Sequence, residues 1–139
     1  MRVLILCTGN SARSQMAEGL LRHDAVDACE VSSAGTKPTR VRPEAIAVMR
    51  EVGIDISGPR SKSLDEFVGQ DFDYVITVCD NAKQSCPVFP AKTKRIHWSI
   101  EDPATVEGSE DERLAAFRRT RDELRARLQA FAQTEIQSR

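Results

Sequence analysis

The stretch Met1-Arg2-Val3-Leu4-Ile5-Leu6-Cys7-Thr8-Gly9-Asn10-Ser11-Ala12-Arg13-Ser14-Gln15-Met16-Ala17 decides the fold. Residues 2–7 are a short, nearly continuous run of aliphatic and β-branched side chains, the pattern of a strand buried on both faces of a parallel sheet. Residues 8–12 are a polar turn. From residue 13 to about residue 23, Met16, Ala17, Leu20 and Leu21 fall on one helical face. Strand, polar turn and helix in this order open a β-α-β unit.

Beyond it, Val31 lies in a second strand ending at Ser32-Ser33-Ala34-Gly35. Pro43 suits the first turn of a helix whose apolar stripe is Ala45, Ile46, Val48, Met49 and Val52, with Gly53 as its stop. Residues 57–70 read as a loop with a short helix, in which only Leu64, Phe67 and Val68 are available for packing. Tyr74-Val75-Ile76-Thr77-Val78 is a second strong buried strand. Residues 80–90, broken by Pro87 and Pro90, are expected to be a mobile loop. Residues 95–98 are a weakly marked fourth strand. Residues 110–133 form a long charged helix with Leu114, Phe117, Leu124, Leu128 and Phe131 on its apolar side.

The alternation predicts an α/β fold: a single domain over residues 1–139, with a mostly parallel four-stranded sheet and helices on both faces. In such sheets ligands gather outside the carboxyl ends of the strands. Cys7 and Cys79 each end a strand and Asp102 follows the fourth, so the topology is expected to bring these three together.

Composition narrows the function. Of 139 residues, 40% are hydrophobic and 29% charged, which excludes a disordered chain. Twenty basic and twenty-one acidic side chains leave a net charge of −1, so no global field grips nucleic acid or an acidic membrane. A bound anion must be held by a local site. The apolar N-terminal run is too short for a signal-peptide core, and no segment approaches the roughly 20 apolar residues of a membrane span. The expectation is a cytoplasmic protein, monomeric by default for this size. Stable disulfides are rare in that compartment, so four cysteines point to packing, metal ligation or catalysis.

Cys7-Thr8-Gly9-Asn10-Ser11-Ala12-Arg13-Ser14 fits C-x5-R-S between a strand and a helix. Five residues of this kind can curl so that successive backbone N–H groups of Thr8, Gly9, Asn10, Ser11 and Ala12 point inward as an anion nest. Gly9 permits backbone geometry that other residues resist, and the helix adds its positive end. The Arg13 guanidinium matches two oxygens of a tetrahedral oxyanion. The same field favours the thiolate of Cys7, its reactive form, and Ser14 can donate to that sulfur.

This loop, together with SSAGT at residues 32–36 and Asp102-Pro103, resembles the low-molecular-weight tyrosine phosphatase superfamily over essentially the whole chain. Within it, VCDNAKQSCP (78–87) and HWSIEDPA (97–104) make the sequence similar to the thioredoxin-coupled arsenate reductases.

Cys79 and Cys86 are separated by six residues, too far apart for a typical zinc pair, and only His23 and His97 are available as further imidazole ligands, so no metal is expected. A strand-end cysteine followed by a breaker-rich loop bearing another suits sequential thiol exchange, the alternative being two unrelated thiols. The resemblance implies the exchange. Cys7 matches the nucleophile. Cys79 matches the thiol that attacks the arsenylated Cys7 and releases arsenite. Cys86 matches the thiol that leaves a Cys79–Cys86 disulfide for thioredoxin. Ala12 departs from relatives that often carry a further loop cysteine, a position the relay does not use. Cys29 reads as a packing residue.

A carboxyl group on a proline-stiffened loop suits proton donation to a departing oxygen, and the resemblance matches Asp102 to the family's general acid. Phosphatases of the superfamily usually follow Asp-Pro with aromatic residues. Here Ala104-Thr105 follow, which favours a small inorganic oxyanion such as arsenate; a phosphatase with a phosphocysteine intermediate is the alternative. Some members bind potassium through positions matching Asn10, Glu18, Ser33 and a further carboxylate. Lys62 stands near that last position, and a cation beside a lysine is disfavoured, so neither potassium nor an organic cofactor is expected. Arg118, Arg119, Arg121, Arg125 and Arg127 read as a solvated helix face with i,i+4 pairs.

Overall fold

A computed structural model of the chain describes residues 1–9, 12–25, 29–35, 39–58, 61–67, 69–79 and 92–136. Four strands, β1 (Arg2–Cys7), β2 (Glu30–Gly35), β3 (Tyr74–Thr77) and β4 (Lys94–His97), form one sheet in the order β2-β1-β3-β4. Every pairing is parallel, so the sheet expected to be mostly parallel is entirely so. Among the described residues three α-helices accompany it: α1 (Arg13–Asp24), α2 (Pro43–Arg50) and α3 (Glu110–Phe131).

β1 occupies a central position, with β2 and β3 on its two sides. Val3 through Cys7 are all buried, odd and even positions alike, so both faces of this strand are covered. That explains why its sequence is a continuous apolar run rather than an alternation. β3 is equally buried, whereas β4 at the sheet edge exposes Lys94 and Arg95. Charged side chains on an open edge discourage pairing with another chain.

The register aligns Cys7 with Gly35 and Leu6 with Thr77, and Thr77 with His97, so all four strands end at one edge. The chain leaving that edge after each strand supplies the site.

α1 lays Met16, Ala17, Leu20 and Leu21 into the core, and Phe117, Leu124, Leu128 and Phe131 of α3 join the same cluster. Leu114, expected on the buried face, is only partly covered. α2 begins at Pro43 and ends earlier than its apolar stripe suggests, because the turn to Gly53 takes φ to +79°, a left-handed conformation that favours glycine. Gly19 of α1 lies where α2 and the following segment approach closely. A Cβ placed there would sit 2.8 Å from Ile56 Cγ2 and 3.2 Å from Met49 Cε.

The arginines of α3 correct the reading of a solvated face. Arg121 is buried, donates to the Val48 carbonyl (2.7 Å) and pairs with Glu51 (2.9 Å), both at the end of α2. Arg118 forks onto the same Glu51 carboxylate at 2.9, 3.1 and 2.8 Å, and Arg125 reaches Asp24 of α1. Of the pairs expected four residues apart, Arg127–Glu123 is present at 3.4 Å. These charges chiefly join helices to one another. The Arg118 hydrogen bond holds the Glu51 carboxyl at about 2, well below its usual value, with Arg121 adding to the effect.

Candidate active site

The site begins where β1 ends. Cys7 is buried at the strand terminus, and the Ala12 carbonyl accepts the Met16 N–H (2.8 Å) as the chain enters α1. Ala12 at the helix N-cap has no side-chain acceptor, and the first turn carries no acid. No resident carboxylate of this turn therefore competes with an incoming anion for the positive end of α1.

Ser14, fully buried in that first turn, places its Oγ 2.8 Å from Cys7 Sγ. When Cys7 is a thiolate, the hydroxyl is the donor. Arg13 projects the other way. Its Nη1 donates to the Ile100 carbonyl (2.8 Å), and its Nη2 lies 3.7 Å from Asp102 Oδ2. The Ile100 contact fixes the guanidinium through one N–H and leaves others for an oxyanion.

Asp102 is positioned by its own turn. It caps a 3₁₀ turn, Pro103–Thr105, with Oδ1 accepting the Ala104 N–H at 2.9 Å. Pro103 stands at the first position of that turn, where a missing N–H costs nothing. With Oδ1 so engaged, Oδ2 is the oxygen nearest Arg13.

Cys79 follows β3 and is buried. Its sulfur lies 3.2 Å from Thr8 Oγ1, so the residue next to Cys7 touches the thiol at the end of the neighbouring strand. This contact exists because β3 pairs directly with β1, and the Val78 N–H donates to the Leu6 carbonyl (2.9 Å) just before it. Cys7, Cys79 and Asp102, expected at one edge of the sheet, all lie there, Cys7 with Ser14 against its sulfur and Asp102 with Arg13 beside its carboxylate, and the contact of Thr8 with Cys79 is the unforeseen connection. Asn10, Ser11 and Cys86, also expected in the site, and the loop expected to be mobile lie outside the described residues.

Cys7, Thr8, Gly9, Ala12, Arg13 and Asp102 line a cavity of about 900 Å³. Residues 39–44 complete its wall, joined to the loop by the Thr39 N–H donating to the Gly9 carbonyl at 2.9 Å. Sequence reasoning passed over this segment. The available signal was its place after the carboxyl end of β2. Tyr74, the one tyrosine, stands at the opposite end of β3 and is hydrogen-bonded to Glu135. Cys29 stands apart from the cavity, and burial pushes its thiol up. Lys62 lies 3.9 Å from Glu18 Oε1, as its place in the chain suggested. Among the described residues no group of His, Cys, Asp and Glu is arranged to hold a metal ion, and no helix is long and apolar enough to cross a membrane.

Comparison with known proteins places the whole chain in one family. The profile of a family described as low molecular weight phosphotyrosine protein phosphatase matches residues 2–139. Arsenate reductases of Halalkalibacterium halodurans and Bacillus subtilis are each 45% identical over 132 residues, covering 95% of this chain and 95% of theirs. A solved structure described as an arsenate reductase in oxidized state superposes with a TM-score of 0.80 at 35% identity, covering 93% of this chain and 94% of that one. A low molecular weight protein tyrosine phosphatase from T. tengcongensis superposes equally well, with a TM-score of 0.80 at 29% identity over 96% of this chain and 98% of its own. With the match running from the first strand to the last residue, this chain belongs to the low molecular weight phosphotyrosine protein phosphatase family.

Proposed function

We propose that this protein is an arsenate reductase working through a relay of three thiols. The observation that carries the reading is the 3.2 Å contact between Thr8 and Cys79, which sets a second thiol against the loop of the first. A phosphatase of this family needs only one cysteine. The relatives named arsenate reductase, at 45% identity, support the same choice.

In this mechanism arsenate binds to the backbone N–H groups of the Cys7–Arg13 loop and to the Arg13 guanidinium. The Cys7 thiolate attacks arsenic, an S–As bond forms, and an arsenate oxygen leaves as water with the proton supplied by Asp102. Cys79 then attacks the Cys7 sulfur. The new S–S bond forms as the S–As bond breaks, the electron pair stays on arsenic, and arsenite departs. Cys86 attacks Cys79, freeing Cys7, and thioredoxin reduces the Cys79–Cys86 disulfide. The reaction needs no organic cofactor or metal, and a monomer in the cytoplasm suffices for it.

The test is a coupled assay with arsenate, thioredoxin, thioredoxin reductase and NADPH, followed by peptide mapping after one turnover. NADPH consumption and a Cys79–Cys86 disulfide are expected. Turnover without that disulfide would overturn the relay. The phosphatase alternative shares Cys7, Arg13 and Asp102, and Cys79→Ser separates the two: it should abolish reduction while sparing hydrolysis of a phosphate ester.

A further inference from the structure

The cavity is far larger than a tetrahedral oxyanion requires, and its lining includes two cationic side chains that the mechanism above does not use. Arg40 and Arg42 both line the cavity and are exposed at its mouth. Neither makes an ion pair among the described residues. Arg118, Arg121, Arg125 and Arg127 of α3, by contrast, are each matched to a carboxylate. Arg13, which also lines the cavity, is held by the Ile100 carbonyl. The outer arginines are held near it by the backbone bond from Thr39 to Gly9.

We propose that Arg40 and Arg42 form an outer rim that gathers inorganic oxyanions and delivers them to the Cys7–Arg13 loop; this rests on the oxyanion chemistry assigned to that loop. The chain as a whole has a net charge of −1 and supplies no attraction of its own. Among the residues that line the cavity, however, Arg13, Arg40 and Arg42 outnumber Glu44 and Asp102, so positive charge is in excess. A cleft lined by one sign of charge concentrates field lines and raises the local concentration of the opposite ion. A dianion such as arsenate or phosphate feels that field twice over. The rim acts by charge at a distance, so it is sensitive to salt and indifferent to whether the charge is guanidinium or ammonium. Arg13, which binds by directed hydrogen bonds, is neither.

The test compares wild type with the double variants R40Q/R42Q and R40K/R42K. The readout is the concentration of inorganic phosphate that half-protects Cys7 from iodoacetamide, followed on the Cys7 peptide by mass spectrometry. Salt is set at about 0.01 M and about 1 M, where the screening length is about 30 Å and about 3 Å. At low salt R40Q/R42Q should need about tenfold more phosphate than wild type, with the difference vanishing at high salt. R40K/R42K should behave as wild type throughout. The proposal is overturned if R40Q/R42Q matches wild type at low salt, if the Lys pair loses as much as the Gln pair, or if phosphate fails to protect Cys7 in wild type. Because the readout needs no turnover, a chain that binds phosphate in this manner without reducing arsenate would sink the reductase reading and leave the rim standing.

Discussion

Thr8 Oγ1 and Cys79 Sγ lie 3.2 Å apart although 71 positions separate them in the chain, so the loop carrying the first thiol also touches the second. Replacing Thr8 by Val preserves the volume and removes the hydroxyl. In a single turnover this substitution should slow arsenite release about tenfold, the scale of one hydrogen bond to a charged sulfur, while arsenate still quenches alkylation of Cys7. Rapid-quench measurement of arsenite checks it; an unchanged release rate would remove Thr8 from the relay.

Ser14 makes the corresponding contact with the first sulfur. Its hydroxyl lies 2.8 Å from Cys7 in a residue wholly buried from solvent. Ser14→Ala should slow alkylation of Cys7 by iodoacetamide about tenfold at neutral pH. Labelling of Cys29 in the same sample serves as the internal reference.

Gly19 tests the packing of α1 against α2. Alanine favours a helix by up to about 1 kcal/mol over glycine, but here its Cβ would meet Ile56 Cγ2 at 2.8 Å, a branched methyl that cannot swing aside. Overpacking of this kind costs about 1–3 kcal/mol. Gly19→Ala should therefore destabilise by about 1 kcal/mol net and lower Tm by about 3 °C in a thermal melt. A rise in Tm would mean that the gap yields.

Glu51 predicts the response to acid. Its carboxyl is pulled down to about 2 in the folded chain from an ordinary 4.5, because Arg118 and, after it, Arg121 bind the ionised form. The stability it contributes is fully present above pH 4.5 and is lost as pH falls towards 2. In urea unfolding, Glu51→Gln should be less stable than wild type at neutral pH, and the gap should close across that window. A gap that stays constant down to acid pH would show that the ion pairs make no net contribution.

The legible parts of this molecule were the contiguous ones. β1, its loop and α1 follow one another directly, and each is marked by a local signal: an apolar run, a Gly within a polar turn, a helical stripe. Cys7, Arg13 and Ser14 were therefore readable together. The strand order β2-β1-β3-β4 has no local signature, since crossovers set it, and the contact of Thr8 with Cys79 depends on that order. Arg121 looked like a surface charge because its neighbours in sequence are polar. Its burial comes from α2 docking on α3, with Glu51 and the Val48 carbonyl arriving from some 70 positions away. Arg40 and Arg42 were passed over for a similar reason: a loop arginine acquires meaning only when the loop is seen to wall a cavity.

The distances along the chain also bear on how the molecule is made. The Cys7–Ser14 loop is contiguous in sequence, but groups that touch it lie far along the chain: Cys79 contacts Thr8 across 71 positions, and the Ile100 carbonyl meets Arg13 across 87. The contacts of Thr8 with Cys79 and of Arg13 with Ile100 form only when β3 and the segment after β4 have joined the sheet. Cys7 and Ser14 meet within one local segment, whereas the contacts that reach this loop from Cys79 and Ile100 require the assembled sheet.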